Sequence, residues 1–160
     1  MDLGLSDTIR HRKFHTSSLV YRREYWEQVG GIPVGVSSNE RALYPMLALF
    51  GKIRYFADPM CVYRLSGVGL SSRITAEELA TDLAMIPWLR DISPTFPAAS
   101  FRSFLHLCVY TYPARISLGM LVAHYLQFVL LSFSYFPKNL GDVKHGTVEF
   151  LRRLRGAPSR

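Results

Sequence analysis

Two charged side chains, Glu40 and Arg64, stand where the chain could form a site for chemistry. Glu40 comes at the start of a predicted helix, where a carboxylate is stabilised by the helix dipole and can face a cleft as a general base. Arg64 comes at the end of a predicted strand, beside a loop whose backbone N–H groups could help a guanidinium to hold a diphosphate. The loop consists of Ser66, Gly67, Val68, Gly69, Leu70, Ser71 and Ser72. The same pattern also fits a first-turn acid after a Ser38 cap, and a surface arginine paired with Asp58 or Glu40.

The elements that must position these side chains are predicted from hydrophobic spacing. Leu43, Met46, Leu47 and Phe50 recur at intervals of three and four residues, which indicates a helix that Gly51 ends. The segments that follow are rich in aromatic and β-branched residues and favour two short strands joined by a turn. The strands are predicted at residues 52–56 and 61–65, and the turn at Asp58 and Pro59.

Three further elements are predicted upstream. Residues 1–13 are polar and end in a basic cluster, which favours a solvated arm, with a phosphate-binding patch as the alternative. Residues 15–21 favour a strand. Residues 24–29 favour a short helix, which Gly30 and Gly31 stop.

The order of these segments is similar to that in a known enzyme family. The strings HTSSLVYRR, NER, LALFGKIRYF and VYRLSGVGLSS, between residues 14 and 72, resemble the C-terminal half of the catalytic domain of family 2 glycosyltransferases. The resemblance implies a GT-A-like α/β fold. It also implies inverting transfer of a sugar from a nucleotide-sugar donor to the hydroxyl of a glycan or lipid-linked acceptor, with a divalent metal, Mg²⁺ or Mn²⁺, as cofactor.

The resemblance also assigns expected roles to single residues. Glu40 lies where the family places its catalytic aspartate, eleven residues before the glycine, and is therefore the expected base. His15, Gly30 and Gly31 are expected on the acceptor side of the site. The residues expected near the donor diphosphate or the acceptor are Arg64, Ser66, Gly67, Gly69, Ser71 and Ser72.

The sequence departs from the family pattern in three ways. Glu40 replaces an aspartate, which moves the carboxylate outward by one methylene. Ser66 stands where family members commonly carry a histidine that completes metal binding. No Asp-x-Asp motif occurs in the chain, and no nucleotide-binding unit precedes residue 14, so the chain supplies no ligand set for the expected metal. We therefore expect a truncated or partial transferase that is inactive by itself.

Composition limits the other classes of function. The chain has 160 residues with 49% hydrophobic and 19% charged, enough for a core and against global disorder. Its net charge of +7 suits an anionic partner such as a nucleotide-sugar or an anionic membrane surface. Lysine and arginine are scattered without a recognition motif, so no nucleic-acid partner is expected. Cys61 and Cys108 fit buried thiols, and the polar N-terminus carries no secretory signal; a cytoplasmic protein is expected.

Beyond residue 73 the pattern is helical. Residues 75–90 predict a helix that begins with a Thr75–Glu78 capping box and carries Glu77, Glu78 and Asp82 in its first half, which matches the helix dipole. Pro87 should kink that helix or end it a turn early. Residues 98–112 predict a second helix. In the tail, glycines 141 and 146 are predicted breaks before a final amphipathic turn or two.

Residues 116–136 carry no formally charged side chain and allow three interpretations. The segment is long enough to span a bilayer, although His124 and Gln127 at mid-span are unfavourable there. It could instead lie in a membrane surface, helped by the basic tail at Arg152, Arg153 and Arg155. It could also be a buried helix, with His124 hydrogen-bonded to a neighbour.

The fold class that follows is α+β. Residues 1–72 are predicted to be the C-terminal half of a glycosyltransferase catalytic domain, and residues 73–160 a helical region that can associate with a membrane. Strand edges left uncovered would favour self-association. The alternative function is a non-catalytic protein peripheral to the inner face of the membrane.

Overall fold

A computed structural model describes residues 1–10, 18–37, 39–59, 62, 74–112, 115–135 and 140–156, and only the backbone of Arg10, Asn39, Glu40 and Tyr135. These residues are mostly helical. The helices are α1 (Leu5–Arg10), α2 (Arg23–Val29), α3 (Asn39–Phe50), α4 (Ala76–Ala80), α5 (Met85–Ile92), α6 (Ala98–Thr111), α7 (Leu118–Ser132) and α8 (Leu140–Leu154). Two short 3₁₀ segments, Thr81–Ala84 and Phe133–Tyr135, follow α4 and α7.

The sheet of the described residues has two strands of two residues each, β1 (Asp2–Leu3) and β2 (Ile53–Arg54). They pair antiparallel, with Asp2 opposite Arg54 and Leu3 opposite Ile53. The strand predicted at residues 52–56 is therefore confirmed only in its centre. Its predicted partner, residues 61–65, lies outside the described residues apart from Val62, and the partner that the structure provides is the N-terminus.

The prediction of a solvated arm at residues 1–13 is wrong for the described residues 1–10. They form β1 and α1, and Leu3 and Ile9 are each 2% exposed. Ile9 packs in the main core, and Leu5, about one turn earlier on the same side of α1, packs against that core while partly exposed. Residues 18–21 are likewise not a strand, since the described strands pair only with each other.

The helix predictions are confirmed for α2, α3 and α6. Residues 75–90 differ, because a 3₁₀ segment, Thr81–Ala84, interrupts them before α5. The Thr75–Glu78 capping box is present, with the Glu78 amide donating to Thr75 Oγ1 at 3.1 Å. Pro87 does not break a helix; it is the third residue of α5, where its missing N–H has no intrahelical partner to lose. α5 continues to Ile92, so the predicted early end is wrong, whereas the 3₁₀ interruption falls in the turn before Pro87, where a proline kink is expected.

The C-terminal helices also differ from expectation. α7 ends at Ser132, so the observed helix is shorter than the apolar segment of residues 116–136 from which it was predicted. Glycines 141 and 146 lie inside α8 and break nothing, because the predicted turn or two is a helix of 15 residues. Among the described residues, no helix is both long and apolar enough to cross a membrane.

The main core joins elements from both sides of residue 72. Buried side chains of α1, α3, α5 and α6 meet in one cluster, which includes Ile9, Met46, Leu89 and Phe101. A second cluster holds α6, α7 and α8 together through Leu107, Tyr110, Leu121 and Phe128. Residues from the two predicted regions thus share one hydrophobic core.

Candidate functional site

A cavity of about 650 Å³ opens in the part of the chain that carries the expected site residues. It lies between α2, the C-terminal end of α3, β2 and the two loop segments that flank them. Its lining residues are Ser18, Leu19, Val20, Tyr21, Arg22, Tyr25, Leu47, Gly51, Lys52, Ile53, Arg54, Tyr55, Phe56, Ala57, Asp58 and Pro59. A cleft of this size accommodates a small organic ligand.

Aromatic rings form much of the cavity wall. Tyr25 of α2 stacks on Phe50 of α3, with ring centroids 4.9 Å apart and planes 8° apart, and this contact fixes α2 against α3. Phe56 is 60% exposed and Tyr21 41% exposed, so both rings are accessible. Exposed aromatic faces can stack on planar or ring-shaped ligands.

Basic side chains are the second component of the wall. Arg54 donates two hydrogen bonds to Asp2, at 2.8 and 3.2 Å, and these lower the pKa of the Asp2 carboxyl and raise the pKa of Arg54. Arg22 pairs with Glu24 at 3.3 Å. Lys52 is exposed beside them. The two arginines are thus engaged by carboxylates, which leaves Lys52 as the cation at this wall with the best access to a ligand.

Gly30 and Gly31, expected on the acceptor side, act here as a helix stop. Gly30 has φ 70° and caps α2, and the Gly31 amide donates to the carbonyl of Trp26 at 3.2 Å. Gly31 has φ 85°, which side chains rarely adopt. Neither glycine lines the cavity. Their contribution is to end α2 so that Tyr25 faces Phe50.

Glu40 lies in the first turn of α3, as the sequence predicts. The cavity, however, is at the other end of that helix, at Leu47 and Gly51. With a rise of about 1.5 Å per residue, the Glu40 backbone is about 10 Å from that of Leu47 and about 16 Å from that of Gly51. The expected base and the cavity are therefore neighbours along one helix but do not coincide.

A buried polar cluster holds the N-terminal end of α3. Asp82 is fully buried and its Oδ2 lies 2.8 Å from Nη1 of Arg41, which is 7% exposed. The other carboxylate oxygen accepts from the amide and the hydroxyl of Ser37, at 2.9 and 3.0 Å. This cluster was not predicted, because the sequence places Asp82 only in the acidic first half of a helix. Its only sequence signal is the apolar surroundings of Asp82, between Leu79 and Met85.

A second polar pair, His106 and His124, joins α6 to α7. Their Nδ1 atoms are 2.9 Å apart, so one ring donates and the other accepts. Burial, His124 and Arg102 together lower the pKa of His106 to about 4, and burial lowers that of His124. The prediction that His124 has a hydrogen-bond partner is confirmed.

The remaining expected site residues lie outside the described residues. They are His15, Arg64, Ser66, Gly67, Gly69, Ser71 and Ser72. A cleft shared by Glu40 and Arg64 therefore stays a prediction. Within the described part of the chain, no three histidine, cysteine, aspartate or glutamate side chains come together as metal ligands.

The comparisons with known proteins give no relative to set beside this geometry: no family model, no curated protein and no solved structure matches the chain.

Proposed function

We propose that this chain is part of a glycosyltransferase of the family 2 type, with a GT-A-like α/β domain, that transfers a sugar from a nucleotide-sugar to an acceptor hydroxyl with inversion. The observation that carries the proposal is the cavity. It is built from the same segments, residues 18–25 and 47–59, that carry the sequence resemblance, and its wall combines exposed rings with cations.

Such a wall suits a ligand that has both a ring and a negative charge. The faces of Phe56 and Tyr21 can stack on a nucleobase or pyranose ring, and Lys52 can attract a phosphate. A nucleotide-sugar contains all of these groups. The cavity is therefore the proposed binding site for one end of that substrate.

Glu40 is the proposed base, which takes the proton of the acceptor hydroxyl as the anomeric carbon is attacked. Because it lies about 10 Å or more from the cavity, the cavity would bind the part of the substrate that does not react. Binding energy from such remote groups can hold the reacting atoms in position. Asp82 would act as a positioning residue, since it anchors the segment from Ser37 to Arg41 that contains Glu40.

Titration calorimetry of the purified chain with UDP- and GDP-sugars, with and without Mn²⁺, tests the proposal. We expect binding that Lys52→Ala and Phe56→Ala each weaken by about fivefold or more, as loss of a charged contact or a stacked ring costs about 1 kcal/mol. Glu40→Gln should leave this binding unchanged, because the base is remote from the cavity.

Phe133→Ala is the matched control, since Phe133 is also an exposed ring, 74% against 60% for Phe56, but follows α7. A folded chain that binds no nucleotide-sugar would contradict the proposed cavity function. So would binding that the two cavity variants and the control weaken equally.

A further inference from the structure

One side of α7 is apolar and faces away from the core. The helix packs inward through Leu121 and Phe128, which are 4% and 1% exposed. Its opposite side presents apolar side chains at intervals of four, four, four and three residues, which places them on one face. This outer face of α7 consists of Leu118, Val122, Leu126, Leu130 and Phe133, exposed by 64, 36, 53, 63 and 74%.

The neighbouring helix α8 presents a mixed apolar and basic face. Lys144, Val148, Leu151 and Arg155 follow one another at intervals of four, three and four residues, so they share one side of the helix. Val148 and Leu151 are 59% and 47% exposed, and Lys144 and Arg155 are also exposed. We call this set the basic face of α8.

Other cations of α8 are engaged inside the protein. Arg152 donates to both oxygens of Glu149, at 2.9 and 3.0 Å, and Arg153 donates to Glu149 and to the carbonyl of Tyr112. The Tyr112 contact ties α8 to the C-terminal end of α6, whereas the Glu149 contacts lie within α8. They turn the half-buried arginines inward, so the charge that α8 offers to a partner comes from Lys144 and Arg155.

Helices α7 and α8 pack directly on one another. Tyr125 of α7 stacks on Phe150 of α8 with ring centroids 3.8 Å apart. Gly146 of α8 approaches Phe128 of α7 so closely that an added Cβ would lie 2.7 Å from that ring. The side chains that join the two helices are not those of the outer face of α7 or the basic face of α8, so the packing leaves both faces uncovered.

We propose that the outer face of α7 and the basic face of α8 bind the surface of an anionic lipid bilayer, with α7 lying in the plane of the membrane. Aliphatic side chains enter the headgroup and acyl boundary, and flanking cations attract anionic headgroups. The net charge of +7 matches such a surface. This binding does not depend on the glycosyltransferase proposal.

The composition of the surface favours lipid over a protein partner. Protein interfaces are enriched in tyrosine, tryptophan and arginine, and their cores are depleted of lysine. The outer face of α7 is aliphatic except for Phe133, and Lys144 shares its side of α8 with Val148 and Leu151. A flat hydrocarbon boundary requires neither hydrogen-bond partners nor shape complementarity from these side chains.

Flotation with vesicles tests the proposal on the full chain. We expect binding to vesicles of equimolar phosphatidylcholine and phosphatidylglycerol, weaker binding as salt is added, and little binding to phosphatidylcholine alone. Lys144→Gln/Arg155→Gln should weaken binding about 30-fold, since each cation near the surface contributes about fivefold. The matched control Arg22→Gln/Arg90→Gln has the same net charge but changes exposed arginines elsewhere, and should weaken binding much less.

The apolar contribution has its own pair of variants. Leu126→Gln/Leu130→Gln should weaken vesicle binding at least about tenfold, because it removes buried methyl groups from the membrane boundary. The control is Val34→Gln/Val62→Gln, since these valines are 104% and 97% exposed outside α7 and α8. Circular dichroism shows whether each variant is folded, and the exposure of all four positions makes unfolding unexpected.

Three results would overturn the proposal. The first is equal binding to neutral and anionic vesicles. The second is a leucine variant that binds as well as the parent or no worse than the valine control. The third is a dimer of the parent chain in sedimentation that Leu126→Gln/Leu130→Gln makes monomeric, with no vesicle binding by either protein. That result would identify a second copy of the chain as the partner. Glu40→Gln should leave vesicle binding unchanged, so this test is separate from that of the glycosyltransferase proposal.

Discussion

Helices α3 and α7 are both strongly apolar, yet the protein encloses one and leaves half of the other exposed. In α3, residues 41–47 are all buried, including Met46 at 0% exposure. In α7, Leu126 and Leu130 remain 53% and 63% exposed. Burial thus depends on how much of a helix its neighbours cover: α3 lies in the main core with α1, α5 and α6, whereas α7 packs its inner side on α6 and α8, with Met120 against a cluster of α4 and α6.

The two helices also differ in how they are anchored, which gives the largest expected effect. Asp82→Ala removes the carboxylate that binds Arg41 and Ser37 at the start of α3. We expect a loss of about 3–5 kcal/mol in the free energy of unfolding, since a buried guanidinium loses its counter-charge. Urea denaturation followed by circular dichroism measures it. Asp91→Ala, at an exposed aspartate of α5, should change stability by less than about 0.5 kcal/mol; a similar loss in both variants would contradict a special role for Asp82.

Truncation of one apolar side chain in each helix tests the contrast in burial. Met46→Ala should lower the free energy of unfolding by about 2–5 kcal/mol, because it empties a fully buried site. Leu126→Ala should change it by less than about 0.5 kcal/mol, because that side chain is half exposed. The same denaturation measurement compares them, and a large loss for Leu126→Ala would show that the outer face of α7 is covered in solution.

The inner side of α7 should tolerate substitutions as poorly as α3 does. Gly146 of α8, which packs against Phe128 of α7, tests this expectation. An added Cβ would contact Tyr110 Oη and lie 2.7 and 2.9 Å from Phe128 Cε1 and Leu107 Cδ1. We expect Gly146→Ala to cost about 1–3 kcal/mol from overpacking. Gly119→Ala, with open space around its Cβ, should be neutral or stabilising by up to about 1 kcal/mol in thermal or urea unfolding. An equal change in the free energy of unfolding for the two glycine variants would be inconsistent with this packing.

The contact between α6 and α7 should respond to acid through the histidine pair. The pKa of His106 is lowered from 6.5 to about 4, so the unfolded chain takes up the proton first as the pH falls. The stability contributed by the neutral ring is complete above about pH 6.5 and is lost as the pH falls toward 4. We expect the melting temperature to fall by roughly 4 °C or more across this window.

His106→Asn should flatten that pH dependence, because the histidine that changes protonation is gone. His145→Asn is the control, since His145 is exposed on α8. If the melting temperature of the His106 variant still falls between pH 6.5 and 4, other groups cause the effect. Burial raises the pKa of Glu149, but hydrogen bonding to Arg152 and the charges of Arg152 and Arg153 outweigh it, so the pKa is lowered. The stability that ionised Glu149 contributes is lost as the pH falls through this lowered pKa.

Local sequence signals predicted the elements whose causes are local. The spacing of Leu43, Met46 and Leu47 predicted α3, and the Thr75–Glu78 pair predicted a capping box that the structure contains. Gly30 predicted the end of α2 for the same reason, because a left-handed cap is a property of one residue.

Contacts between distant residues were not predictable in the same way. Nothing in the spacing of Asp82 indicates that it meets Arg41, and β1 pairs with β2 although residues 1–10 are polar on average. Glycines 141 and 146 suggested breaks, yet Gly146 is a helix residue that permits close packing on Tyr110. In the candidate site, sequence placed Glu40 at a helix start but could not place the cavity at the opposite end of that helix.

The small strand pair has a consequence for the order of folding and opening. Asp2 and Arg54 are 52 positions apart, so their pairing closes a long loop for few hydrogen bonds, whereas helical contacts are local. We expect this pair to form late in refolding and to open first in the native state, with fast amide hydrogen exchange at Tyr55, whose N–H donates to Met1 at 2.8 Å. A group attached to the N-terminal ammonium, which donates to the Tyr55 carbonyl at 3.0 Å, would speed that local exchange and leave exchange in α6 unchanged.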